Sequence, residues 1–282
     1  MLQSKRSTIP LKFGIELELL LQLPTPSELD LHTTNDRIQH FSEIMKTTLS
    51  HIPITFSPQK HITDYSTWIV TEDTSLSGDN YDCLALELIS PIIYDVGTQL
   101  LELDEILSFF QLFDVHVNST CGFHLHISQK EKPFSLNELK QISKMFIILE
   151  PILDSANKER ISNVYCQSNC NNIYFKDLSV PTIINRIDHA NTTKELVYVM
   201  NPLDSEHELM GEFTKKELYF YSEYNRLQRF YKMNLTNLLN HKQTIEIRSH
   251  RGTTNIHDIL KWIEMWCFII HFSKLFPTEN NL

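Results

Sequence analysis

His124 and His126 stand two residues apart in Cys121-Gly122-Phe123-His124-Leu125-His126-Ile127-Ser128. In an extended strand, residues two apart share a face. Both imidazoles then project to one side with Gly122 and Ser128, and Phe123, Leu125 and Ile127 enter a core on the other. A half-exposed strand with two incidental histidines is the simple alternative, but three other stretches repeat the design. Phe13 to Leu19 sets Glu16 and Glu18 against Phe13, Ile15, Leu17 and Leu19. Cys83 to Ile89 sets Glu87, beside the small Cys83 and Ala85, against Leu84, Leu86 and Leu88. Thr244 to Ser249 sets Glu246 and Arg248 against Ile245 and Ile247. If these strands are neighbours, their polar faces form one floor. Crowded carboxylates repel, and burying them uncompensated is costly. A divalent cation removes that cost, so the chemistry expected is that of a metal-dependent site on an antiparallel sheet.

The elements that must position this floor are legible between the strands. Asn35 to Ser50 carries an apolar stripe at helical spacing, Ile38, Phe41, Ile44 or Met45, and Leu49. Thr67 to Thr71 reads as a short strand, followed by the acidic turn Glu72 to Asp79. Gly97 to Phe113 reads as an amphipathic helix burying Leu100, Leu101, Leu103, Ile106, Leu107 and Phe110. Ser135 to Leu153 is a helix capped by Ser135 with Glu138 three residues on, with Met145, Phe146, Ile148 and Leu149 in the core. Asn255 is placed to cap a last helix with Asp258 in its first turn. That helix buries Ile256, Ile259, Leu260, Ile263, Cys267 and Ile270, and a frayed tail follows from Pro277 to Leu282. Residues 154 to 222 are irregular: Thr193 to Met200 and Lys216 to Tyr221 are short strands or helical turns. Tyr219, Phe220, Tyr221 and Tyr224 are core or a stacking surface, with core packing favoured. Lys158-Glu159-Arg160 is exposed or faces a ligand. No composition shift marks a linker, so residues 1–282 read as one α+β domain. It has an antiparallel sheet with a polar, concave active face and helices on the other face, and residues 154–222 form an insertion or lid.

Composition narrows the function. With 25 basic and 35 acidic residues the formal charge is −10, which argues against a nucleic-acid footprint. The five cysteines form no paired framework and no zinc-type double CxxC, so free thiols in a reducing compartment are expected. Met1 to Pro10 lacks an apolar signal core and Leu17 to Leu23 is too short and too polar to span a bilayer, so the expectation is a cytoplasmic protein without a membrane partner. Of the six glycines, none forms a GxxxxGK[ST] or GxGxxG loop. A bound nucleotide would therefore need metals and arginines for its phosphates.

Four blocks, in order, resemble the amidoligase family. Phe13-Gly14-Ile15-Glu16-Leu17-Glu18 resembles its opening strand. Asp73-Thr74-Ser75 with Glu87-Leu88-Ile89-Ser90-Pro91 is similar to its second block, and Cys121-Gly122-Phe123-His124-Leu125-His126 to its Gly-x-His-x-His block. Thr244 to Arg248 with Arg251-Gly252-Thr253 resembles its closing block. The resemblance implies a glutamine synthetase-like fold and an ATP-dependent carboxylate–amine ligase. ATP phosphorylates a carboxylate, and an amine then attacks the acyl phosphate; the partners are those carboxylate and amine substrates, small molecules or protein side chains. It implies that Glu16, Glu18, Glu87, His124 and Glu246 hold two or more divalent ions, and that His126 lies near the nucleotide phosphates. Arg248 and Arg251 would steady the transferring phosphoryl group or the substrate carboxylate, and Arg160 matches a nucleotide-binding position. Mg²⁺ suits carboxylate oxygens, and a histidine ligand admits Mn²⁺. Asp73, with Glu72, is either a base for the attacking amine or a further metal ligand. For Arg248 the alternative is a salt bridge to the neighbours of Glu246 on the same strand face.

Other functions share this constellation. A phosphotransferase would stop at the phosphorylated product, a hydrolase would activate water without ATP, and a binding module would keep only the scaffold. The intact set of glutamates and histidines disfavours the last.

Overall fold

The computed structural model describes residues 11–22, 33–58, 62, 64–77, 83–94, 96–203 and 227–275. Contacts divide the chain into two compact units, one of Lys12–Ile127 with His250–Glu264, the other of Met1–Leu11, Ser128–Ser249 and Met265–Leu282. Lys216 to Tyr221, Tyr224 and the tail from Pro277 lie outside the described residues.

The first unit, which holds the histidines, is built on strands β1 (Leu11–Gln22), β2 (Ile54–Phe56), β3 (Trp68–Glu72), β4 (Cys83–Ile89), β5 (Asp114–His116) and β6 (Gly122–Gln129). Their order is β2-β3-β4-β1-β6, with β5 also on β1. The β1–β4, β1–β5 and β3–β4 pairs are antiparallel, and β2–β3 is parallel. The apolar alternation is realised: Ile15, Leu17, Phe123, Leu125 and Ile127 are wholly buried. The opposite face is covered as well. His124 is 1% exposed and Glu18 4% exposed, so the half-exposed strand is ruled out here.

Helices α1 (Thr34–Thr48) and α2 (Val96–Phe110) belong to the same unit. Thr33 and Asp36 close a capping box at the α1 N-terminus, which satisfies donors that the first turn leaves open. Ile38, Phe41 and Met45 face inward, so Met45 rather than Ile44 completes the stripe. Phe41 meets Phe109, Phe110 and Phe113 of α2 and its exit at centroid distances of 5.9, 5.9 and 5.2 Å. Leu101, expected in the core, is instead 67% exposed, and Phe109 is buried in addition to the expected set. Two residues from Leu103 is about 200° around a helix, which turns Leu101 away from the stripe.

The second unit contains α3 (Leu136–Ala156), α4 (Val180–Asp188), α5 (Thr193–Met200), the short strand β7 (Met233–Asn234) and most of β8 (Ile245–Arg251). Ser135 and Glu138 form the expected capping box. Burial alone would raise the Glu138 carboxyl, but the Lys274 ammonium, with donors from Ser135 and Gln129, holds it down to about 2. Met145 and Phe146 are core as expected, Leu149 is half-buried, and Ile148 is exposed while its neighbour Ile147 is buried. Pro151 lies inside α3 and cannot donate to the Ile147 carbonyl one turn back. The Cys170 Sγ lies 3.7 Å from that oxygen and donates to it. Residues 193–200 are helical, which decides between the two expected states. β7 and β8 pair antiparallel, Asn234 opposite Glu246.

Helix α6 (Ile256–Ser273) contributes residues to both units. Asn255 Oδ1 accepts the His257 N–H at 2.9 Å, and Asp258 sits in the first turn. Ile259, Ile263 and Ile270 are buried as expected, together with Trp262, Trp266 and Ile269. Ile256, Leu260 and Cys267 are only partly covered. All five cysteines are free thiols. Among the described residues, no helix is long and apolar enough to cross a membrane.

Candidate metal centre

Glu18 on β1 is directly opposite Glu87 on β4, and Thr71 on β3 is opposite Glu87 on its other side. Directly paired residues have Cβ atoms about 4.5–5.5 Å apart, and like charges there repel. Glu18 and Glu87 are both buried, so the repulsion is weakly screened. Asp73, just past β3, is tied back by its N–H to the Ala85 carbonyl at 3.1 Å. Its Oδ1 accepts the Ser75 N–H at 2.8 Å and the Ser75 hydroxyl at 2.7 Å. That turn also carries Leu76 against Leu20 and Cys121, with Ala85 and Val117 alongside. Leu20 and Ala85 are each two residues from Glu18 and Glu87, on the same strand face, so this small apolar cluster desolvates one flank of the carboxylates.

β6 supplies the imidazoles. His124 Nδ1 lies 3.4 Å from Glu16 Oε2 and its Nε2 lies 3.5 Å from Glu18 Oε1. His126 Nε2 lies 3.0 Å from Glu16 Oε1. Glu18 Oε2 accepts the Gly122 N–H at 2.5 Å. The strand end is held by close backbone approach at Gly252, whose N–H donates to the Cys121 carbonyl at 2.9 Å. A Cβ on Gly252 would fall 2.7 Å from the Cys121 Cβ, so only glycine fits without a shift.

Within this unit the donor atoms converge in two sets, Glu16–Glu87–His124 and Glu18–Asp73–Glu87, each with its ligand atoms inside 4.8 Å of one another. Glu87 belongs to both. One set is all carboxylate and the other has a single imidazole, and such oxygen-rich sets suit hard or borderline divalent ions. The structure thus gathers Glu16, Glu18, Glu87, His124 and Asp73, with His126 against Glu16 at their edge. Glu72 alternates to the other face of β3, away from Glu87. Arg251, expected to meet substrate, has a 48% exposed side chain that reaches toward Asp258 at 4.0 Å.

Glu246, Arg248 and Arg160 belong to the second unit. There Glu246 is an ion-pair partner: Oε1 accepts from Arg248 Nη1 at 2.6 Å, and Oε2 accepts from the Asn234 and Asn237 amides at 2.7 and 3.0 Å. The Arg248 Nε–H donates to the Tyr165 carbonyl at 3.2 Å. The salt bridge considered for Arg248 is thus made to Glu246 itself rather than to its neighbours. Arg160 is buried and its guanidinium reaches the Arg248 carbonyl at 3.5 Å, which removes the exposed alternative for it; Lys158 and Glu159 are exposed.

A buried charge cluster nearby was not singled out from sequence. Lys232 Nζ lies 3.3 Å from Glu150 and 2.6 Å from Asp154. Burial alone would lower the Lys232 pKa, but these carboxylates hold it above the usual lysine range. Burial, reinforced by Glu150, pushes the Cys170 thiol up, and burial raises Cys166 against the pull of Arg160 and Arg248. A lysine in the run Arg229 to Leu235 has no local signature of burial, because its partners come from α3, some eighty residues upstream.

The sequence matches the family described as "putative amidoligase enzyme" over residues 9–270. No curated protein matches it.

Proposed function

The chain belongs to the amidoligase family, whose name describes amide-forming ligases, and on that premise we propose that it is an ATP-dependent carboxylate–amine ligase with a metal-dependent site. The observation that supports this most is the pair of ligand sets sharing Glu87. Four carboxylates converge there with the His124 imidazole, and His126 lies against Glu16, an excess of negative charge that a divalent cation offsets. We assign Glu16, Glu87 and His124 to one ion and Glu18, Asp73 and Glu87 to a second, Mg²⁺ or Mn²⁺ in each case. When bound, the ions would neutralise phosphate charge. A glutamine synthetase-like arrangement accords with this assignment.

The chain's own residues then have defined tasks. His126, whose Nε2 lies 3.0 Å from Glu16 Oε1, sits against that carboxylate as outer partners of metal ligands do, and is a candidate contact for nucleotide phosphate. Arg248, Arg160 and Arg251 are candidate contacts for phosphate or the substrate carboxylate, since the planar guanidinium matches both. Glu246 holds the Arg248 fork in one orientation. In the reaction, a carboxylate oxygen attacks the γ-phosphorus and ADP leaves. The amine nitrogen then attacks the acyl carbon, phosphate leaves, and the amine gives up a proton.

Calorimetric titration of Mn²⁺, then of ATP in its presence, tests the reading on the wild type and Glu87→Gln. The expected result is Mn²⁺-dependent ATP binding, weakened by about 100-fold or more in the variant, since even outer partners cost 10–100-fold. Nucleotide binding that ignores the metal, or no binding with either ion, overturns it. Product analysis then separates amide formation from a reaction that stops at a phosphorylated acceptor.

A further inference from the structure

The loop after β4 builds a second feature in the first unit, on the other side of the sheet from the carboxylates. Trp68 alternates with Thr71 along β3, and Thr71 shares its face with Glu87. Trp68 therefore points to the helical layer, where its indole N–H donates to Glu102 Oε2 of α2 at 2.8 Å. Beside Glu102 opens a groove of about 540 Å³, within the range of sites that hold ligands.

Its walls are Pro53, Tyr65, Pro91, Ile92 and Tyr94. Tyr94 is 52% and Ile92 38% exposed. Large apolar side chains left in water side by side, between two prolines, mark a contact surface more than chance exposure. The Tyr65 carbonyl accepts the Ile92 N–H at 3.1 Å, which joins the two sides of the wall.

The charged side chains among the groove's described lining residues are both carboxylates. Asp64 and Glu102 line it, and among the described residues no lysine, arginine or histidine does. Each carboxylate is oriented from behind by one donor: Asp64 by the Ser66 N–H at 2.9 Å, Glu102 by Trp68. Gln99 Oε1, also in the lining, is buried without a hydrogen-bond partner. A buried acceptor without a donor is costly, and two nearby carboxylates select a donor that is also a cation. Aromatic rings and prolines select a flat one. A guanidinium meets all three conditions: it is planar, always charged and carries five N–H donors. Grooves of tyrosine and proline also favour extended backbones.

We infer that this groove docks an arginine side chain carried on an extended, proline-containing segment of a partner protein. The inference does not depend on the ligase reading, because none of the groove's residues belongs to the carboxylate–histidine centre.

Fluorescence anisotropy with a labelled Pro-Pro-Arg repeat decapeptide tests it on the full chain. Saturable binding is expected, falling about tenfold or more when citrulline, a neutral isostere, replaces arginine. The same loss is expected in Asp64→Asn/Glu102→Gln and in Tyr94→Ala, and no change in Glu87→Gln. No saturation up to millimolar peptide, equal binding of the citrulline or lysine versions, or indifference to the groove variants would each overturn the assignment. The citrulline and lysine comparisons use unaltered protein, so a variant that folds poorly leaves the test intact.

Discussion

Two buried polar clusters in this protein carry their charge in opposite ways. Around Lys232 opposite charges meet: Glu150 and Asp154 share the ammonium, and Arg248 pairs with Glu246 on β8. Buried amides complete the network. Asn169 and Asn201 both donate to the Met233 carbonyl, and Asn201 accepts the Leu235 N–H. Around Glu87, four carboxylates face two histidines, with β1 and β4 holding Glu18 and Glu87 directly opposite. The first pattern is what structure needs, since unpaired buried charge is expensive. The second is what a ligand site needs: charge arranged before its partner arrives.

If that contrast is right, removing a charge has opposite consequences in the two places. The largest effect is expected for Lys232→Met, which leaves the buried Glu150 and the half-buried Asp154 without their cation. Denaturant unfolding should show a loss of about 3–5 kcal/mol, and replacing Glu150 by leucine in the same chain should recover part of it. Glu87→Gln should do the reverse in metal-free protein, raising stability by up to about 1 kcal/mol as the facing carboxylates stop repelling, while Mn²⁺ no longer raises the melting temperature. A fall in metal-free stability of several kcal/mol would sink the distinction between the clusters.

Gly252→Ala probes the contact that seats the histidine strand. The added methyl would meet Cys121 at 2.7 Å, and a loss of about 1–3 kcal/mol in thermal or chemical unfolding is expected. Weakened Mn²⁺ binding should accompany it.

The smallest effect concerns Glu138 at the α3 cap. Its carboxyl is held at about 2, below its ordinary 4.5, so the folded state favours the ionised form. The resulting stability is present above about pH 4.5 and is lost as pH falls through about 2. Glu138→Gln should therefore cost about 1 kcal/mol at pH 7, and the gap to wild type should narrow steadily from pH 4.5 to pH 2 in urea melts. A gap that stays constant over that window would place its stabilisation outside the carboxyl charge.

The fold was legible wherever a local period decides it. The alternation in Phe13 to Leu19 and Phe123 to Ile127 depends only on the two-residue repeat of a strand, and Ser135 with Glu138 depends only on the geometry of a first turn. Leu101 and Ile148 were misplaced because hydrophobicity does not say how wide a helix's covered face is; the packing of Phe109 and Ile147 does. From its neighbours Arg160 reads as exposed or facing a ligand, and its burial became visible only beside the Arg248 carbonyl. Lys232 was invisible for the same reason, its partners being far away in the chain.

What the sequence by itself determined was the composition of each face: glutamates and histidines on one side of four strands, aliphatic residues on the other. That follows from bond geometry within a strand and needs no partner. Tertiary structure alone decided which of those residues meet. The β1–β4 register put Glu18 opposite Glu87, the turn after β3 brought Asp73 to them, and the segment carrying Asn234 and Asn237 engaged Glu246 with two amides beside Arg248. Register and loop closure are set by contacts between distant segments, whose free energies no local pattern encodes.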